Sequence, residues 1–256
     1  HVVTGILREV EKPANPEAAR KAYLRKVNEL LRQMDRMSNQ RARAALNLLA
    51  DARRRIIDDL AALPQTDDHR YRIETLASAR DAIDRQAADF SRRFGVQMAG
   101  GLEDAFSHGA AFLPDSLRAA EINVFWQPEV SRAQLQAVQR LTADLIVKVS
   151  TDFRQRAQQV VQLGVIGAKS VPQMEREIQA LLRTQTDRVT KKLGPIAYQA
   201  DRIVRTESLR VFSIAAESRS QELERQVPGI RKYWLSAGDN RVRATHRAAA
   251  ARYAPG

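Results

Sequence analysis

Residues 24–60 read LRKVNELLRQMDRMSNQRARAALNLLADARRRIIDDL, and this stretch decides the fold. Its apolar positions recur at steps that fit one face of an α-helix. They are Leu24, Val27, Leu31, Met34, Ala45, Leu48, Ala52, Ile56 and Leu60. Pro64 and the Gln-Thr-Asp-Asp that follows it combine a helix breaker with capping residues. The pattern therefore predicts one very long helix, which ends in a sharp turn near Pro64.

A second apolar series of the same period follows the turn. It comprises Leu76, Ile83, Ala87, Phe90, Phe94 and Met98, and Gly100-Gly101 is expected to interrupt it. The two helices predict an antiparallel hairpin whose arms each span about 50–70 Å. An elongated assembly component and two arms of an ordinary helical bundle both fit this pattern. Residues 101–128 are expected to form short helices and a bend.

Three further helices are predicted in the second half of the chain. One carries a series from Leu135 to Leu163 and ends at Gly164. The next begins at Ser170 and Gln173, which have capping-box spacing, and runs to about Leu182. The third starts after Gly194-Pro195 and runs from Ile196 to roughly Glu224. The short segment 230–235, followed by a Gly-Asp-Asn turn, is the best strand candidate.

These patterns together predict a mainly α protein. We expect an elongated N-terminal helical hairpin and a C-terminal α-rich domain with a small β element near residues 230–243. The predicted domains are residues 1–128, the hairpin and its connector, and residues 129–256. Because the chain ends at Pro255-Gly256 without a closing element, we expect the second domain to be truncated.

Composition narrows the class of protein without deciding its function. The 256 residues are 44% apolar, which is enough for a substantial core, and the absence of cysteine excludes disulfides and thiolate metal sites. No apolar run approaches the roughly 20 residues of a membrane span. The formal net charge of +12 predicts attraction to nucleic acid or to another acidic surface.

The most specific pattern lies between residues 201 and 246. It consists of Arg205, Thr206 and Glu207 on a helix, then Trp234, then Asp239, Arg241, Arg243 and His246 in a D-x-R-x-R-x-x-H string. In order and spacing this pattern resembles the phage head morphogenesis family, the Mu F-like minor head proteins. The resemblance covers about residues 130–247. Family members often carry Asp-Gly shortly after the histidine, whereas His246 is followed here by Arg247 and an alanine run.

The resemblance implies a structural protein of the virion. Such a protein would lie inside the capsid near the portal vertex, with the host cytoplasm as its location during assembly, and would act in head assembly or DNA delivery. Its partners would be the portal protein, other capsid components and packaged double-stranded DNA, which it would bind non-specifically. We expect no membrane partner and no cofactor, and a homo-oligomer is possible through the long hairpin.

The same residues allow other interpretations. Glu207, Asp239 and His246 could act as metal ligands, or as an acid-base set, of a nuclease or other phosphoryl-transfer enzyme. Alternatively, Glu207 could pair with Arg241 or Arg243 in a network that holds the C-terminal turn. We favour the network, and so predict no catalytic or metal-binding residues.

The C-terminal segment is also rich in basic residues. The candidates for contact with DNA or a partner are Arg231, Lys232, Arg247 and Arg252. A solvated basic face would have the same composition. A general basic DNA-binding protein therefore remains an alternative to the virion protein.

Overall fold

A computed structural model describes residues 14–65, 73–122, 132–166, 169–187 and 192–226. These ranges contain α1 (Pro16–Ala61), α2 (Leu76–Ala119), α3 (Arg132–Val165), α4 (Val171–Leu181), α5 (Pro195–Gln226) and a short 3-10 helix (Ile73–Thr75). The described residues include no strand, so the prediction of a mainly α fold is confirmed. The β element predicted at 230–243 lies outside them.

Capping residues and prolines mark both ends of helix α1. The Asn15 side-chain oxygen accepts the N–H of Ala18 at 3.1 Å, and Pro16 occupies the first helical position, where no backbone donor is needed. The helix ends at Ala61, three residues before Pro64. The predicted long helix and its stop are both confirmed.

The buried face of α1 differs in detail from the expected series. Leu30 is buried, whereas its neighbour Leu31 is 42% exposed and Leu24 is 38% exposed. Leu49 is likewise buried while Leu48 is only partly so. Both pairs are adjacent leucines, and periodicity alone does not decide which member of such a pair faces a partner helix. Packing against α2 and α5 determines which leucine of each pair is buried.

The predicted interruption at Gly100-Gly101 is wrong, because α2 continues through both glycines and through Pro114 to Ala119. The short helices expected after residue 100 are therefore the last five turns of α2. A helical glycine costs only about 1 kcal/mol relative to alanine. Burial of the apolar residues beyond it, among them Leu102 and Phe106, outweighs that cost.

Polar contacts show that α1 and α2 run antiparallel. Arg41 pairs with Asp104 at 2.7 Å, Arg55 pairs with Asp89 at 3.4 Å, and Gln86 donates to Asp59 at 3.3 Å. As the position on α1 rises, the position on α2 falls. At about 1.5 Å per residue the arms of 46 and 44 residues are each about 65–70 Å long, as expected.

The hairpin forms a bundle with the later helices. Helix α5 contacts the four other α-helices, and α3 packs against α2, α4 and α5. One buried cluster includes residues of all five helices, and Phe90 of α2 meets Phe153 of α3 edge-on with ring centroids 6.2 Å apart. The predicted boundary at residue 128 thus separates helices that share one core.

Helices α2 and α5 approach most closely at Gly109. A Cβ placed on this glycine would lie 2.2 Å from the carbonyl oxygen of Phe212 and 2.9 Å from its Cα. The next turn of α2 places Phe112 edge-on against the Phe212 ring, at a centroid distance of 5.4 Å. Only glycine allows the two backbones to come this close.

Candidate functional site on helix α5

The start of α5 is fixed against the end of α4. Gly194 donates its N–H to the carbonyl of Arg183 at 2.8 Å, and a Cβ on Gly194 would lie 2.6 Å from the carbonyl oxygen of Ala180. Pro195 then begins the helix. The Gly-Pro pair that sequence analysis singled out is therefore a close packing contact as well as a break.

Arg205, Thr206 and Glu207 lie at the edge of the buried face of α5. Val204 and Ser208 are fully buried, Arg205 and Thr206 are exposed, and Glu207 is only 2% exposed. The motif therefore places one carboxylate in the bundle and one guanidinium on its surface. The two side chains belong to different hydrogen-bond networks.

Arg205 joins α5 to α1. Its Nε donates to both oxygens of Asp201, at 2.9 and 3.1 Å, and one terminal nitrogen donates to Oδ1 of Asn39 at 2.6 Å. Asn39 lies on the exposed face of α1. Arg205 thus bridges two helices that are distant in sequence and keeps its charge at the surface.

Glu207 pairs with Arg210, one turn along the same helix, at 2.6 Å. Burial raises the pKa of the Glu207 carboxyl, and the attraction and hydrogen bond of Arg210 oppose that rise without cancelling it. The side chain of Arg210 is 41% exposed, so the pair connects the core to solvent. The structure therefore pairs this buried carboxylate with one cation of its own helix.

A shallow depression lies over the exposed part of the motif. Its lining residues are Arg205, Thr206, Leu209, Arg210 and Ser213. Leu209 is 56% exposed there, between two arginines. The two flanking guanidinium groups are paired with Asp201 and Glu207 of the same helix.

The other residues of the motif lie outside the described ranges. They are Trp234, Asp239, Arg241, Arg243 and His246, together with the contact candidates Arg231, Lys232, Arg247 and Arg252. The proximity of Glu207 to Asp239 and His246, or to Arg241 or Arg243, stays a prediction. In the parts of the chain that are described, no group of three or more His, Asp or Glu side chains could hold a metal ion.

Sequence reasoning missed two partners in this site. Arg210 stands three residues after Glu207, a spacing at which side chains on one helix meet, so the pair was open to prediction. Asn39 gave no such signal, because its contact with Arg205 depends on how α1 and α5 pack.

Comparison with known proteins identified no relative of this chain. Neither the family models nor the curated proteins and solved structures include a match to this chain. Among the described helices, none has an apolar stretch long enough to cross a membrane.

Proposed function

We propose that the protein is a minor head protein of a tailed phage or phage-like particle. It binds the portal vertex and packaged DNA during head assembly or DNA delivery. The observation that carries this proposal is the Arg205-Thr206-Glu207 motif, with Glu207 held in the core and Arg205 and Thr206 presented on the surface.

The geometry of α5 supports a binding role. The helix packs against α1, α2, α3 and α4, so we expect its exposed face to be held rigidly. A rigid surface loses little entropy on association. The Arg205 bridge to Asn39 adds a second fixed point on α1. We assign portal contact to the depression around Leu209, where two guanidinium groups flank an apolar side chain.

The test is capture of the purified protein by the portal protein encoded beside it. Two substitutions make a matched pair: Leu209→Asp on α5 and Val147→Asp on α3, since the two side chains are 56% and 59% exposed. A buried interface leucine contributes about 2 kcal/mol or more, so L209D should weaken capture about thirtyfold. V147D should bind like the wild type.

Two results would overturn the proposal. One is that the portal and capsid subunits fail to capture the wild-type protein. The other is divalent-metal-dependent cleavage of plasmid DNA that His246→Ala abolishes, which would identify a nuclease. Equal loss of capture in both aspartate variants would place the contact elsewhere than on α5.

A further inference from the structure

The N-terminal half of α1 carries most of the excess charge of the described helices. Residues 17–43 contain eight Lys or Arg and three Asp or Glu, whereas residues 44–61 contain three of each. Helix α2 holds five arginines and six carboxylates, α5 holds five of each, and α3 holds five Lys or Arg and two Asp. The largest positive excess of the described helices therefore lies on the N-terminal half of α1, and a smaller one lies on α3.

The basic residues of this half form a single exposed stripe. Successive positions on an α-helix are 100° apart, so residues separated by three, four, seven or eleven share a face. The basic stripe consists of Lys21, Arg25, Arg32, Arg36 and Arg43, all exposed, with the exposed Asn28 and Asn39 between them. Two exposed carboxylates border this sector, Asp35 on one side and Glu29 on the other, and Glu29 is paired with Lys26.

The stripe cations differ from most other arginines of the bundle in lacking carboxylate partners. Four of the five arginines of α2 form ion pairs with carboxylates. No carboxylate of the described residues pairs with any of the five stripe cations. Unpaired guanidinium groups keep all their donors for an external anion, and their planar shape matches the oxygens of a phosphate.

We infer that the basic stripe binds the phosphate backbone of double-stranded nucleic acid. From Lys21 to Arg43 it spans about 33 Å, close to one turn of duplex DNA. Arg205 of α5, which is paired with Asp201, also reaches Asn39 near the C-terminal end of the stripe. The contact is independent of base sequence, because it neutralises phosphates and presents nothing to the grooves.

An anionic membrane is a poorer fit for the same stripe. A helix that lies on a bilayer inserts a broad apolar face, and the apolar face of α1 is buried in the bundle, with Leu30, Met34 and Ala45 in its core. The most exposed large apolar side chains on this half of α1 are Leu24 and Leu31, at 38% and 42%, and they lie apart from one another rather than as a broad apolar face. The exposed cations of the stripe can therefore contact a polyanion such as DNA without any apolar side chain entering a bilayer.

This inference rests on the proposed function for its biological setting, but its test is separate. The stripe variant is R25Q/R32Q/R36Q/R43Q. The control is R54Q/R85Q/R92Q/R118Q, which removes four exposed arginines that are ion-paired with carboxylates. Both variants lower the net charge by four, and glutamine keeps the helix propensity of arginine. Circular dichroism and thermal melting establish that each is folded.

Binding is measured by fluorescence anisotropy with a random-sequence duplex of about 30 base pairs between about 50 and 200 mM salt. The stripe variant should bind about tenfold or more weakly at the lowest salt, with a log–log salt slope reduced by about 3–4. The control variant should keep a slope near that of the wild type.

Three results would overturn the inference. They are equal weakening in both variants, no binding of the duplex by the wild type, and tighter binding of phosphatidylserine vesicles than of DNA. Portal capture is measured on the same samples. If the stripe and control variants bind DNA equally well while the portal captures the wild-type protein, the stripe inference alone is refuted. If the stripe variant loses DNA binding but the portal does not capture the wild-type protein, the proposed function alone is refuted.

Discussion

The close approach of α2 and α5 at Gly109 makes a sharp prediction for Gly109→Ala. The added methyl group would meet backbone atoms of Phe212 at 2.2 and 2.9 Å. Since ordinary carbon contacts begin near 3.4 Å, the two helices would have to separate by roughly 1 Å. A backbone atom cannot rotate away as the end of a flexible side chain can, so the strain would spread along the crossing.

The net effect follows from two opposing contributions. Overpacking in a well-packed core costs about 1–3 kcal/mol, and a backbone collision belongs at the upper end. Replacing a helical glycine by alanine recovers about 1 kcal/mol. We therefore expect a net loss of about 2 kcal/mol, which lowers the Tm of a chain of this size by about 4–8 °C.

Gly100→Ala is the matched control on the same helix. Nothing lies within 4 Å of a Cβ at this position, so only the gain in helix propensity remains. Its Tm should rise by about 2 °C. Thermal melts monitored by circular dichroism measure whether the Tm falls for G109A and rises for G100A. A G109A protein that melts as high as G100A would refute the close packing described here.

Two more predictions concern single side chains. Because burial raises the pKa of Glu207 above its ordinary value of 4.5, its stabilising contribution is present at lower pH and is lost as the pH rises through the raised pKa. Melting from pH 4 to pH 7 should thus show Glu207→Gln gaining stability relative to the wild type, and a constant difference would argue against a buried carboxyl. Gln173→Ala removes the acceptor of the Ser170 N–H, bonded at 2.8 Å, and should cost about 0.5–1 kcal/mol in urea unfolding. Gln179→Ala, exposed on the same helix, is its control, and equal losses in the two variants would contradict the capping role.

The parts of the fold that sequence predicted are those that depend on local chemistry. Pro64, the Ser170–Gln173 capping box and Gly194-Pro195 mark the neighbouring helix ends, and α3 ends at Val165, one residue after Gly164. Gly164 and Gly194 also pack closely against Met174 and Ala180, respectively. Gly100-Gly101 misled the prediction, because the decision there depends on side chains of other helices that bury the next turns of α2. The orientation of Leu30 and Leu31 depended on packing in the same way.

In the candidate site, too, contacts within one helix could be predicted from the sequence, and contacts between helices could not. The positions of Arg205 and Glu207 on one helix, and the pairing of Glu207 with Arg210, follow from helical spacing. The Arg205–Asn39 hydrogen bond joins residues 166 positions apart and depends on the crossing of α1 and α5. No local pattern in a single sequence carries that information. The association of Glu207 with Asp239 and His246 stays a prediction.

The central place of α5 has a consequence for synthesis on the ribosome. Helices α1 and α2 are complete at residue 119, yet the helix that covers their shared apolar face ends at residue 226. At roughly 5–20 residues per second, the hairpin waits about 5–20 s for that partner. During this interval Phe94, Met98 and Leu102 lack the neighbours that bury them in the finished bundle. We therefore expect the nascent chain to be open to holding chaperones until its last described helix emerges.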